Sequence, residues 1–355
     1  MRIEKILSAA IRGGASDIVL KTGIVPHFRF NGELKPLVNG EIVRPEMIRS
    51  WVDHLYSGTF DPNELKDLDF AFHSKDGHRF RVNVFKQRGA IGIVLRVILG
   101  HVRTMEELQL PAILKKFTTE RRGLVLITGA TGSGKSTTLA SMIQKINVET
   151  RSHIITIEDP IEYLFKDQQS VIEQREVGLD TPSFPKAMRS ALRQNPDVIM
   201  VGELRDRVTV RAAIKAAETG HMVFSTLHTS DAAETLQMLL SHFASENIDF
   251  LRQILAQVLC GVVSQRLVTR KDGNGMVPAV EILIGNPSVK EMILRGNFSQ
   301  LRDIIKEGQS AWGMQSFDQS LARLYQGGLI TREVALTNAS SRGNMELELS
   351  GVVEA

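Results

Sequence analysis

The sequence predicts an α/β protein in two parts, a small α+β domain over residues 1–100 followed by a larger domain built on a mostly parallel sheet. Two observations lead there. From Arg121 to Leu227, apolar runs alternate with helical stretches, the pattern of a parallel sheet covered by helices. Residues 16–98 instead carry strand-like runs broken by turn pairs, Asn31-Gly32 and Arg88-Gly89, the pattern of antiparallel hairpins. A length of 355 residues accommodates two domains.

Ile3, Ile6, Leu7, Ala10 and Ile11 recur at helical spacing until Gly13-Gly14 stops them, which predicts a short amphipathic helix. The strand runs are SDIVLKTG, HFRFNGELKPL, RFRVNVFKQ and AIGIVLRVI. His101–Thr104 reads as a connector, and Thr104 with Glu107 fits a capping box opening a helix before EELQLPAILKKF. Residues 101–112 are therefore the expected linker and 113–285 the second domain. Its strands and helices are read as LVLIT, STTLASMIQKIN, HIITIE, FPKAMRSALRQ, DVIMVGE, VTVRAAIKAAETG and MVFSTL. Beyond Asn286, SVKEMILRG, FSQLRDIIKEG, SFDQSLARLYQGG and TREVALTNAS predict a C-terminal helical region over 286–355, fraying from Arg342 onward, where no period is visible.

Composition narrows the function classes. No apolar run approaches the roughly 20 residues that span a bilayer, so a cytoplasmic protein is expected. A net charge of +3 with 23% charged residues does not point to nucleic acid, and none is expected as a partner. Cys260 is the only cysteine, which excludes an internal disulfide or a multi-cysteine zinc site and leaves it as a small buried hydrophobe.

Gly129-Ala-Thr-Gly-Ser-Gly-Lys-Ser136 matches the P-loop pattern, follows the strand LVLIT and opens a helical run. Its glycines let successive amides face phosphate oxygens, reinforced by the helix dipole. Gly129, Thr131, Gly132, Ser133, Gly134, Lys135, Ser136 and Thr137 are the candidate ATP contacts. Lys135 would bridge the terminal phosphates and the Ser136 hydroxyl would ligate Mg²⁺.

Three carboxylates, Glu158, Asp159 and Glu162, follow the next strand, HIITI. Parallel sheets gather ligands at the carboxyl ends of their strands, so these acids are expected in the same crevice, where a glutamate orients or deprotonates the attacking water. DVIMVGELRD ends its strand on Glu203, with Gly202 where many P-loop enzymes carry a magnesium-binding aspartate, so Mg²⁺ is expected to be held either by Glu203 through water or mostly by Ser136 and the nucleotide. In TGHMVFSTLHT a straight strand puts His228 on the nucleotide edge and His221 at the far end. If Arg88-Gly89 is a two-residue turn, cross-strand partners sum to 177 and Arg81 opposes Arg96. Like charges so placed call for an anion, either a nucleotide phosphate or a carboxylate such as Asp69.

In order, the P-loop, ITIEDPIEY, NPDVIMVGELRD and TGHMVFSTLHT resemble the Walker A, Asp box, Walker B and His box of the secretion and type IV pilus ATPases, most closely the twitching-motility retraction group. The resemblance runs from RGGASDIVLKTG to GMQSFDQSLARLYQGGLIT. It implies a PAS-like N-terminal domain, a RecA-like P-loop ATPase domain with a small C-terminal helical appendage, and a hexameric motor powering pilus retraction. It further implies Glu162 as the catalytic glutamate with Glu158 beside it, Glu203, His221 and His228 lining the nucleotide crevice, and Arg81 and Arg96 as phosphate-sensing arginines. Implied partners are an inner-membrane pilus platform protein, docking the ring at the cytoplasmic face, and, for an accessory role, a second ATPase of the same group. The expected absence of an extra N-terminal region and of a four-cysteine insert favours retraction over assembly or type II secretion. SVKEMILR departs from the retraction signature AIRNLIRE, so an accessory role, and a weakly hydrolysing scaffold, stay open.

Overall fold

The computed structural model describes residues 2–30, 32–58, 60–61, 65, 67–98, 100, 102–243 and 247–350. They form two compact units, Met1–His101 with Glu162–Leu164, and Val102–Ile161 with Phe165–Ala355.

The first unit runs α1 (Ile3–Gly13), β1 (Asp17–Lys21), β2 (His27–Phe30), β3 (Glu33–Pro36), α2 (Pro45–Leu55), β4 (Leu68–His73), β5 (Arg79–Gln87) and β6 (Ala90–Ile98). Its strands form one antiparallel sheet in the order β3-β2-β1-β6-β5-β4. Helix and strand periods meet in one core, where Ile6 and Leu7 of α1 pack with the alternate residues Ile18, Leu20, Val82, Val84, Ile93 and Leu95. The first hairpin closes where expected, since Phe30 pairs with Glu33, though Asn31 lies outside the described residues. In the second, Arg88 and Gly89 both take left-handed φ, 49° and 77°, the geometry a two-residue turn requires. Arg81 accordingly sits directly opposite Arg96. α2 and β4 are elements beyond those predicted above.

Of the expected linker, His101 lies outside the described residues. Thr104 and Glu107 exchange the two capping-box bonds, at 2.7 and 3.1 Å, yet turns follow them and the first helix of the second unit is α3 (Leu114–Phe117). Gln109 at φ 56° and Pro111, which offers no amide and disfavours helix before it, stop the propagation.

The second unit continues with β7 (Gly123–Thr128), α4 (Lys135–Glu149), β8 (His153–Glu158), β9 (Val171–Glu176), α5 (Phe184–Ala191), β10 (Val198–Val201), α6 (Arg207–Glu218), β11 (Met222–Leu227), α7 (Ala232–Ser241), α8 (Ile248–Val258), β12 (Leu259–Thr269) and β13 (Met276–Ile284). The sheet order is β13-β12-β7-β11-β10-β8-β9, all pairings parallel except the edge pair β12–β13. β7 is buried along its whole length and packs against α4 and α6. Leu124, Val125, Leu126 and Ile127 lose essentially all exposure, and the larger of these side chains contribute about 1.5–3 kcal/mol each. That burial makes β7 a rigid base for the loop that follows it. Cys260 sits where the β12–β7 register shifts, and burial pushes its thiol up to about 11, so it stays protonated and fills space.

The remaining helices are α9 (Pro287–Arg295), α10 (Leu301–Glu307), α11 (Gln309–Trp312), α12 (Phe317–Gln326), α13 (Arg332–Asn338) and α14 (Arg342–Leu349). α14 corrects the expected fraying from Arg342. Ser341 caps it by accepting from the Asn344 amide, and Met345 is buried against α12 and α13. Met345, Leu347 and Leu349 recur every second residue, which hides a helical period. No helix among the described residues is long and apolar enough to cross a membrane.

Candidate nucleotide site

Gly129 leaves β7 at φ 143°, and a Cβ there would lie 2.3 Å from the Gln265 carbonyl and 2.6 Å from Ser133 Oγ. Only glycine fits between the strand end and that neighbour, which explains the first residue of the motif. The loop then delivers the chain to α4, whose N-cap is Gly134 at φ 87° and carries no capping side chain. The first amides of a helix have no partner within it. A helix start without a capping side chain is a ready anion site. Ser133 Oγ is buried without a hydrogen-bond partner, and Lys135, 8% exposed, donates from Nζ to the carbonyls of Gly129 at 2.8 Å and Ala130 at 3.0 Å. An uncapped helix start, an unsatisfied hydroxyl and an ammonium folded onto its own loop together fit a phosphate chain.

Gln265 on β12 is a residue that motif reading misses. It is 2% exposed, donates to the Ser133 carbonyl at 2.7 Å and accepts from Thr138 Oγ1 at 2.7 Å, tying loop and helix to the sheet. The legible signal is a glutamine inside the apolar run GVVSQRLV, since an amide in a buried strand must have partners. Gln265→Ala strands the Ser133 carbonyl and the Thr138 hydroxyl, at a cost of about 1–3 kcal/mol. ATP affinity is expected to fall roughly tenfold or more. Titration with a fluorescent ATP analogue checks this, and an unchanged dissociation constant removes Gln265 from the site.

The parallel register puts Thr128, Leu227, Val201 and Glu158 at one edge of the sheet, so the P-loop, His228, Glu203 and Glu158 share that edge. They are not equally close. β11 is the immediate neighbour of β7 and β10 comes next, whereas β8 stands three strand spacings away, roughly 14 Å. His228 and Glu203 are thus the nearer residues to the P-loop along that edge, and Glu158 is the more distant. His228 Nε2 and Glu203 Oε2 lie 3.3 Å apart, and Arg205 pairs with the other oxygen of Glu203. The Glu203 side chain is 13% exposed, and its carboxylate, with Asp159 behind it, raises the already high pKa of Arg205. Gly202 has a reason of its own, because a Cβ there would meet the Ile157 carbonyl at 3.3 Å and Glu158 Cα at 3.4 Å. A side chain there would fit tightly against the Ile157 carbonyl.

Glu158 is buried and accepts from Thr156 Oγ1 at 2.7 Å and Gln174 Nε2 at 3.2 Å. The Asp159–Pro160 peptide is cis. Glu162 is exposed and groups with the first unit. His221 precedes β11 at the opposite edge from the P-loop, its Nδ1 3.0 Å from the Ala216 carbonyl. Strand geometry expects that position, and within this chain His221 does not join Glu203 and His228. In the first unit, Arg81 is held bidentately by Asp69, at 2.7 and 3.0 Å, and Arg96 by Asp17 at 2.9 Å. The opposed cations are neutralised by carboxylates of their own sheet.

The family model described as "Type II/IV secretion system protein" matches residues 1–345. Among curated proteins of Pseudomonas aeruginosa, the chain is 40% identical to "Type IV pilus ATPase PilU" over 98% of its length and 91% of that protein. It is 41% identical to "Type IV pilus retractation ATPase PilT" over 96% and 98%. A crystal structure of the pilus retraction motor PilT with bound ADP superposes with a TM-score of 0.90 at 40% identity, covering 98% of this chain and 99% of that one. The mixed α/β fold is therefore shared from end to end, and the chain belongs to the type II/IV secretion system protein family.

Proposed function

We propose that this protein is an ATP-hydrolysing motor that powers type IV pilus retraction, working as a homo-hexamer against an inner-membrane platform protein from the cytoplasmic face. The observation that carries the reading is the end-to-end likeness to an ADP-bound retraction motor, together with a P-loop complete in its strand and helix. In this reading the first unit is the PAS-like domain and the second the RecA-like domain with its helical appendage.

The roles follow from chemistry at the sheet edge. Backbone amides from Thr131 to Thr137 cradle the phosphates while Lys135 turns from its loop carbonyls to the terminal phosphates. Ser136, with Glu203 through water, would hold Mg²⁺, which supplies charge neutralisation at the phosphates; two protein contacts suit a cation that keeps most of its ligands as water and phosphate. His228 and Arg205 fix the rotamer of Glu203. Glu162 serves as the catalytic glutamate with Glu158 supporting it, and Arg81 and Arg96 sense the phosphates, these roles resting on the family resemblance.

A deletion strain tests the function. Excess surface pili with lost twitching is the expected result, and bald cells would overturn retraction. The equal similarity to PilU motivates one second reading, an accessory motor. Normal retraction in a strain carrying Glu162→Gln would favour that reading.

A further inference from the structure

Glu281 is a buried carboxylate to which the proposed reaction gives no part. It lies on β13 opposite Ser264 of β12, which lies opposite Thr128 at the end of β7. These three residues form one row across the sheet, level with the start of the P-loop, and Thr128 Oγ1 donates to Ser264 Oγ at 3.0 Å. Glu281 is 6% exposed, and its Oε1 accepts the backbone amide of Ala232, the first residue of α7, at 2.9 Å. The preceding residue, Asp231, is the N-cap of α7 and is held by Arg302 of α10 at 2.9 Å. Only Thr229 and Ser230 separate Asp231 from His228, whose ring meets Glu203.

The turn that presents His228 is therefore short and fastened at its far end from below. A neutral acceptor would cap the same amide without burying a charge. Burial pushes the Glu281 carboxyl up to about 7, assisted by Asp231 and opposed by Arg266 of β12 and Arg302 of α10. Arg266 is itself held over the Phe317 ring of α12, 4.0 Å from its centroid. A carboxyl group retained at such a place is characteristic of groups that serve function more than stability.

We propose that Glu281 is a positioning residue for hydrolysis: by holding the first amide of α7 it fixes the turn that sets His228 against Glu203. The proposal rests on the ATPase reading above, and its test separates the two. Hydrogen exchange of residues 228–236 is measured on the nucleotide-free full chain, and steady-state Mg²⁺-ATPase activity is followed from pH 5.5 to 8.5. Glu281→Ala is expected to speed exchange of that segment and to lower kcat at least tenfold, with KM changed less than threefold. Glu281→Gln, which still accepts the Ala232 amide, is expected to retain slow exchange and to keep kcat within threefold of wild type across that pH range.

The sign for stability is fixed by the raised value. The contribution of Glu281 is full below the ordinary carboxylate range and is lost as pH rises through 7. The thermal midpoint of Glu281→Gln should therefore exceed that of wild type by more at pH 8 than at pH 5. Unchanged exchange in Glu281→Ala, or faster exchange with kcat within twofold of wild type, overturns the positioning role. So does a Glu281→Gln variant that loses as much kcat as Glu281→Ala. A wild-type chain without ATP turnover defeats the ATPase reading instead, while the exchange measurement still reports on the turn.

Discussion

Lys135→Ala is expected to lower ATP turnover by roughly 10²- to 10³-fold, the loss typical of removing one preorganised electrostatic group from developing charge. The magnitude follows from where the ammonium is held. Lys135 is buried at the start of α4, and its Nζ already sits between the carbonyls of Gly129 and Ala130, on the loop that wraps the phosphates. To meet a phosphate the ammonium exchanges these two carbonyls for phosphate oxygens on the same loop, so the charge is already held close to where it acts. Alanine removes the only charge of the motif and leaves two carbonyls facing the place where phosphate oxygens arrive. Arginine should not rescue, because a planar guanidinium is larger than the compact ammonium the loop encloses. Phosphate-release assays give turnover, isothermal titration with ADP gives binding, and circular dichroism checks the fold. Turnover within tenfold of wild type in a folded variant would remove Lys135 from the phosphate site.

Much of this architecture is legible in the sequence, for reasons that differ by element. β7, the P-loop and α4 can be read because a strand buried on both faces is a continuous apolar run, and because the glycines occupy backbone geometries few other residues reach. The Arg81–Arg96 pairing can be read because a two-residue turn at Arg88-Gly89 leaves one register. Their partners were half legible: Asp69 stands out as a nearby acid, whereas Asp17 reaches Arg96 across a pairing between β1 and β6 that no local pattern encodes. Strand order is hidden for a related reason. β10 and β11 insert between β7 and β8 through crossovers, so Glu158, next along the chain, is not next in space. Gln265 and Glu281 lie in β12 and β13, where a polar residue in a buried strand signals that it has a partner but not that the partner is a loop or a helix start. α14 escapes because its apolar residues alternate by two while its backbone is helical.

The acids of the ITIEDPIEY segment give the most discriminating expectation. Glu162→Gln is expected to reduce turnover by roughly 10²- to 10⁴-fold, the usual contribution of a general base, while leaving ADP binding intact. Glu158→Gln is expected to cost less than tenfold, although Glu158 is nearer to the strand end and more deeply buried. Its Oε1 accepts from both Thr156 Oγ1 and Gln174 Nε2, and a glutamine carbonyl can accept the same pair. A carboxylate so engaged is held in one orientation by its own strand and by β9. Glu162 is exposed and so is open to water. Both variants preserve side-chain volume, so a shared loss of folding does not explain a difference between them. Single-turnover hydrolysis of preloaded ATP isolates the chemical step from nucleotide exchange. If Glu158→Gln proves the slower enzyme, the two carboxylates exchange roles, and the hydrogen bonds from Thr156 and Gln174 become the means by which the base is aimed.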